Sequence, residues 1–243
     1  AEGANRAAGA LERAAGIGMN LYVTLNLLVL ALPLALSFDR RVAFWRKWPQ
    51  VLPAIAAVMA VFIPWDVWKT AAGVWGFNPR YAGEFRLLGL PPGEWLFFIC
   101  VPYACLFILE CVRAYVPERT LRLPRVAVHA AAVALALLAW RFRGLTYTGT
   151  VFFSAAAALE LLEGIAPATL RSGRFWLAMA LTYVPFLAAN GVLTGLPVVW
   201  YDDARILSIR AGSIPLEDFV YSFSMLAMAA AVHDAAGRRR RRP

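Results

Sequence analysis

The sequence predicts an all-α polytopic membrane protein, a helical bundle of seven transmembrane helices arranged as a 3+1+3 parallel tandem repeat. Three observations predict it. The 243 residues are 61% hydrophobic and 16% charged, with a mean hydropathy of +0.61, whereas a soluble domain of this size carries about 25% charged residues. Seven apolar stretches approach the ~20 residues that a helix needs to cross a bilayer. The chain also repeats itself without a gap at an offset of 124 positions, as from Phe62 to Phe186.

The apolar stretches fall at about 19–37, 51–67, 95–114, 126–140, 146–162, 175–194 and 219–233. Met19 opens the first. The second ends on Pro64-Trp65-Asp66. The third follows Pro91-Pro92-Gly93-Glu94. The fourth is short and contains His129. The seventh follows Pro215-Leu216-Glu217-Asp218. The stretches are rich in Ala and Leu and lack period-2 alternation, which argues against a closed barrel. Residues 1–18 are Ala/Gly-rich and read as an extension, a tag remnant or a processed leader, outside the fold. The remaining boundaries are a first three-helix repeat at 19–116, a linking helix at 117–142, a second repeat at 143–237 and a basic tail at 238–243.

The offset gives this division its meaning. Residues 62–98 read against 186–222, so that Thr70 falls on Thr194, Arg86 on Arg210 and Pro91 on Pro215. Conservative pairs join them: Asp66 with Asn190, Phe77 with Tyr201, Glu94 with Asp218, Trp95 with Phe219 and, further on, Glu110 with Asp234. A repeat is first a packing unit. Here polar positions recur inside an apolar chain, which points to a duplicated site as well. Three helices and one linking helix return the chain to its starting side, so the triplets run parallel about an axis along the membrane normal.

Charge orients the bundle. One set of loops holds Arg40, Arg41, Arg46, Lys47, Arg113, Arg119, Arg122, Arg125, Arg171, Arg174 and the run Arg238 to Arg242; the other is poorer in basic residues. The positive-inside rule puts the first set and the C-terminus in the cytoplasm and the N-terminus outside, in a multi-pass protein of the cell membrane. The net charge of +9 is largely this signal. The Arg tail suits anionic lipid, and no aromatic-laced basic domain points to nucleic acid.

Several chemistries are argued down. Lys47 and Lys69 are the only lysines and lie at helix ends, so a Schiff base in the last span is excluded. His129 and His233 are isolated, and Cys100, Cys105 and Cys111 share one span without ligand spacing, so no metal site is expected. No glycine-rich dinucleotide fingerprint is present. Asp202-Asp203 is one acidic pair, where a membrane prenyltransferase would need two Asp-rich motifs.

The acids that remain lie at one membrane face. Proline in the first turn followed by an acid is ordinary helix-start chemistry. Two copies at one offset, each followed by aromatic residues, favour function, because carboxylates at the edge of a membrane bundle are costly. Glu94, Glu217 and Asp218 are the candidate catalytic acids. Asp66, Asn190, Trp65, Trp75, Phe77, Trp95, Arg86, Arg210, Tyr201 and Tyr221 are candidates for binding or orienting a substrate, although an interfacial aromatic belt accounts for part of this set. Glu110 is about 24 Å beyond Glu94 along a helix at ~1.5 Å per residue, so it reads as a partner of Arg113 at the opposite interface.

At these residues the chain resembles the small integral-membrane lycopene cyclases, which occur as paired half-size subunits or fused halves in bacteria and archaea, and as the cyclase part of the fungal bifunctional phytoene synthase/lycopene cyclase. The resemblance runs from Met19 over nearly the whole chain. It rests on Pro33 to Asp39, Trp65-Asp66, Gly73 to Asn78, Pro91 to Phe98, Pro102-Tyr103 with Glu110, Asn190 to Gly195, Pro197 to Tyr201, Arg210, and Pro215 to Tyr221. The family motif looks like Pro-x-Glu-Glu/Asp. The second half keeps both acids, Glu217 and Asp218. In the first half Gly93 stands where the first acid is expected, which favours one composite site between the halves.

The resemblance implies lycopene, or a close linear relative, entering from the bilayer, and closure of its ends into β-ionone rings without a cofactor. An acid protonates an alkene carbon, the cation closes a ring, and a base removes a proton. Aromatic faces stabilise the cation, and water must be kept out. A small-solute transporter with the same repeat and a non-catalytic carotenoid-binding subunit are the alternatives. Oligomeric state, ring type and the number of ends cyclised stay open.

Overall fold

A computed structural model describes residues 20–240. The extension at 1–18, Met19, and the end of the basic tail from Arg241 lie outside the described residues.

A helix stands at each of the seven expected places. They are α1 (Leu21–Leu36), α2 (Trp48–Ala71), α4 (Pro92–Tyr115), α5 (Arg125–Arg141), α6 (Thr146–Ile165), α8 (Gly173–Gly195) and α9 (Leu216–Arg240). Two single-turn helices, α3 (Pro79–Ala82) and α7 (Pro167–Leu170), lie in connections. Five segments are long and apolar enough to cross a membrane: Phe44–Ala71, Pro92–Tyr115, Thr146–Ile165, Gly173–Gly195 and Leu216–Arg240. The first includes the 3-10 turn before α2. Helices α1 and α5 are shorter, at 16 and 17 residues. The last helix runs on through Arg238–Arg240, beyond the expected end of its apolar stretch.

Local chemistry sets the helix starts. The Asn20 side chain accepts the Tyr22 and Val23 amides to cap α1, and Ser172 caps α8 through the Phe175 amide. Proline stands in the first turn of α2 and α4, where its missing N–H costs nothing. Prolines also lie inside α1, α2, α4 and α8, which membrane helices tolerate where neighbours satisfy the freed carbonyls. Near the end of α1, the Ser37 hydroxyl donates back to the Pro33 carbonyl at 2.7 Å.

The packing interleaves the two halves. Helix α1 lies on α4 and α6 on α9, each pair within one half. Helix α2 packs on α9, and α8 packs on α4, each pair crossing between halves. Helix α8 reaches α9 through long side chains, as where Tyr183 stacks on Phe219 at 5.7 Å. Helix α5, the expected linker, packs along α6.

The sequence reading assigned no strands, and the structure adds two short antiparallel pairings. Strands β1 (Trp75–Phe77) and β2 (Val199–Tyr201) pair with Trp75 opposite Tyr201, Gly76 opposite Trp200 and Phe77 opposite Val199. Three-residue strands are too short to carry a period-2 signal. Each residue faces the offset position of its mirror partner around Gly76 and Trp200, the register that a two-fold between the halves requires. Gly76 is needed there: a Cβ would stand 2.4 Å from the Trp200 ring. Strands β3 (Arg210–Ala211) and β4 (Ile214–Pro215) form a tight hairpin into α9.

Candidate functional site

A cavity of about 420 Å³ lies between the halves. Its polar lining includes Asp66 at the end of α2, Glu94 in the first turn of α4, Asn190 near the end of α8, Tyr201 on β2 and Asp218 in the first turn of α9. Asp66, Glu94 and Asp218 are each at least nine-tenths buried, with exposures of 3%, 7% and 5%. Both helix starts therefore aim a carboxyl into one chamber, next to backbone N–H groups that have no partner within the helix.

Each acid is held by residues from its own half. Tyr22 on α1 donates its hydroxyl to Glu94 Oε2 at 2.5 Å. The Asp66 carboxyl lies within hydrogen-bonding reach of Glu94, while Asp66 Oδ2 has no hydrogen-bond partner. In the second half Tyr147 on α6 donates to Asp218 Oδ1 at 2.8 Å. Asn190 Nδ2 and the Tyr201 hydroxyl donate to Asp218 Oδ2 at 2.8 and 2.9 Å. Burial, and next the Asp218 carboxylate, hold the Tyr201 phenol well above its ordinary range. Tyr201 therefore keeps its proton, which it donates to Asp218.

Aromatic faces wall the same end. Trp75 stands edge-on to Tyr147 at 5.0 Å, Tyr147 stacks on Tyr201 at 6.0 Å, and Phe77 stacks on Tyr22 at 6.4 Å. Tyr221 meets Trp65 edge-on at 5.5 Å. Beyond these groups the lining is largely apolar, with Phe97, Phe107 and Phe186 among aliphatic side chains and with the hydroxyls of Thr182 and Ser222. Leu28 and Leu32 of α1 both line the cavity and are 65% and 66% exposed on the flank. Pro185 of α8 is likewise exposed. The chamber thus opens sideways between α1 and α8.

The expected site residues divide. Asp66, Glu94, Asp218, Asn190, Trp75, Phe77, Tyr201 and Tyr221 line the cavity. Trp65, Trp95, Arg86, Arg210 and Glu217 do not. Trp65 backs Tyr221, and Trp95 Nε1 donates to the Leu87 carbonyl at 3.3 Å. Arg86 closes its own loop through the Gly83 and Phe85 carbonyls. Arg210 pairs with Asp203 at 2.8 Å and holds the Ser213 carbonyl. Glu217 is buried at 2% exposure, and its Oε1 accepts from Thr148 Oγ1 at 2.5 Å and the Leu207 amide at 2.7 Å. It fastens the loop before β3 to α6.

Gly93, at the position offset from Glu217, has its own physical reason. The Tyr22 ring lies over it, and a Cβ would stand 2.4 Å from Tyr22 Cγ. The Gly93 carbonyl also accepts Asn26 Nδ2 at 2.9 Å. An acid there would displace the tyrosine that binds Glu94.

The sequence reading missed Tyr22, Asn26, Tyr147 and Thr148. A signal existed. Tyr22 and Glu94 are 72 residues apart, Tyr147 and Asp218 are 71 apart, so shifting the repeat by one residue in its first helix aligns the tyrosines.

Glu110 and Asp234 meet at the far ends of α4 and α9. Arg113 bridges them at 2.8 and 2.6 Å, Lys47 approaches Glu110 at 3.3 Å, and Thr169 donates to Asp234 at 2.5 Å. His233 Nδ1 lies 3.1 Å from Asp234. Arg113 stands between the two acids and Lys47 neutralises Glu110 from another side, so the cluster reads as an ion-pair network. Cys100, Cys105 and Cys111 are free thiols.

A family model described as Lycopene cyclase matches residues 19–112 and 144–236. These two regions make up more than half of the chain and leave α5 between them. No curated protein and no solved structure matches the chain.

Proposed function

The chain belongs to the lycopene cyclase family, and we propose that it closes the linear ends of lycopene into β-ionone rings by cofactor-independent, proton-initiated isomerisation. One observation carries this reading: three buried carboxyl groups, Asp66, Glu94 and Asp218, converge at the aromatic end of an otherwise apolar chamber. The reaction asks for that combination. A carboxylic acid adds a proton to the terminal double bond. The resulting cation accepts the electron pair of the next double bond, which forms the ring bond. A carboxylate then takes a proton from the ring, and the freed pair makes the ring double bond. The rings of Trp75, Tyr147, Tyr201 and Tyr221 offer negative faces to the cation. The largely apolar lining and the surrounding lipid keep out the water that would trap it as an alcohol.

The opening between α1 and α8 suits a substrate that is insoluble in water. One linear end enters from the bilayer, and the rest of the polyene trails through the gap. We assign the full arrangement as seven spans, with α1 and α5 completing the five longer ones. The repeats lie at 19–116 and 143–237, the linker at 117–142, the N-terminus outside and the C-terminus in the cytoplasm. The carboxyl-lined end then faces away from the cytoplasm. A non-catalytic binding subunit would leave the three converged carboxyls without a task, and a small-solute transporter would need a polar path where this chamber is largely apolar.

The test supplies lycopene to membranes of cells producing this chain and separates the pigments by chromatography. Cyclic carotenoid is the expected result. Unchanged lycopene, in membranes where the inserted protein is detected, would remove the catalytic reading.

A further inference from the structure

The two halves of the site repeat one another, and the places where they differ are chemical. At the first pair of offset positions, Asp66 faces Glu94, while Asn190 faces Asp218. At the second, Phe77 carries no donor, while Tyr201 gives its hydroxyl to Asp218. We infer that Asp66 and Glu94 act together as the proton donor and that Asp218 is the base that ends the reaction. This inference rests on the cyclase reading above.

The argument is a count of donors and acceptors. Asp218 accepts three hydrogen bonds, from Tyr147, Tyr201 and Asn190. All three partners are neutral, and each donates. Each of these donors favours the ionised form of the carboxyl, the form that can take up a proton. Glu94 has one hydroxyl donor, Tyr22, and beside it a second carboxyl. Two carboxyl groups hydrogen-bonded to each other need a proton between them. Asp66 Oδ2 is buried and unpartnered, on a side chain that lines the cavity. The first half thus stores a proton and the second half stores its acceptor. Ring closure takes one proton from the Asp66–Glu94 pair and gives one to Asp218, so the charges balance within one chamber.

The roles differ in what their loss does to the product. Without the donor no cation forms. Without the base the cation still forms and the ring still closes, but the proton can leave from another neighbour of the cationic carbon, or water can add. Deprotonation at the ring carbon that carries the polyene chain gives the β-ring. At the opposite ring carbon it gives the ε-ring, and at the methyl group it gives the exocyclic γ-ring.

Four variants test this in membranes where the unmodified chain makes a β-ring: Asp66→Asn, Glu94→Gln, Asp218→Asn and Asn190→Asp. The first two should lower lycopene consumption by about 10²–10⁴-fold, the usual span for a general acid, with the remaining product still β. Asp218→Asn should consume lycopene and shift the product toward ε-rings, γ-rings or a tertiary alcohol. Asn190→Asp gives the second half the carboxyl pair of the first and keeps every acid, and it should shift the product in the same direction. Quantifying inserted protein by immunoblot separates loss of folding from loss of chemistry. Loss of all consumption in well-inserted Asp218→Asn and Asn190→Asp, or a product shift in Asp66→Asn instead, would overturn the assignment. Failure of the unmodified chain to cyclise would instead count against the cyclase reading.

Discussion

Tyr22 donates its hydroxyl to Glu94 at 2.5 Å, tying the first helix of the bundle to the acid that opens the third long one. The bond is buried and ends on a carboxyl group, which makes it one of the stronger kinds. Hydrogen bonds to charged groups contribute about 1.5–3 kcal/mol. At roughly 1.36 kcal/mol per tenfold in rate, Tyr22→Phe should lower the rate of cyclisation about 10- to 100-fold. The ring and its packing on Phe77 remain, so membrane insertion should be unchanged. Initial rates at saturating lycopene check this, and a rate equal to that of the unmodified chain would mean that the bond only packs the helix.

Gly93→Ala should destabilise the protein more than a glycine-to-alanine change in an open helix start. The new Cβ meets the Tyr22 ring at 2.4 Å, and overpacking of this kind costs about 1–3 kcal/mol. The strain should fall when Tyr22→Ala is added, because the ring it opposes is gone. Thermal inactivation of the detergent-solubilised single and double variants measures it. A double variant as unstable as the sum of the singles would place the strain elsewhere.

Much of this arrangement was legible in the sequence. Hydropathy located the seven longer helices, because each is built on an apolar stretch, and five of these segments are long and apolar enough to cross a membrane. The offset located Asp66, Glu94, Asn190 and Asp218, because those positions recur without a gap. Tyr22 and Tyr147 escaped because the gap-free offset carries Tyr22 to Thr146, one residue short. Glu217 looked equivalent to its neighbour Asp218 in the sequence, yet adjacent residues on a helix point about 100° apart. It turns to Thr148 and the Leu207 amide instead of the chamber. The pairing of β1 with β2 depends on two loops meeting across the halves, and no local pattern records that.

Arg113→Met should separate stability from chemistry. Arg113 bridges Glu110 and Asp234 at the end of the bundle away from the carboxyl-lined chamber. Removing it leaves buried Glu110 and partly buried Asp234 with Lys47, His233 and the Thr169 hydroxyl as their neighbours, and breaking such a network costs up to about 3–5 kcal/mol. Less inserted protein and a lower inactivation temperature are expected, with an unchanged rate per inserted molecule. A large fall in that rate, with normal stability, would give this cluster a part in the reaction.

The last prediction concerns the two halves as separate chains. Helix α2 packs on α9 and α8 on α4, and β1 pairs with β2, so each half completes itself with parts of the other. The chamber is shared in the same way, with Asp66 and Glu94 from one half and Asn190, Tyr201 and Asp218 from the other. Residues 19–116 and 117–243 produced separately should therefore each leave lycopene unchanged. Produced together, they should restore cyclisation, at a level that depends on the amount of the scarcer half, because docking is now bimolecular and carries an association cost. Co-purification through a tag on one half, beside pigment analysis, checks both parts. Cyclic carotenoid from residues 19–116 alone would mean that the donor and base both lie within the first half, and the shared chamber would have to be abandoned.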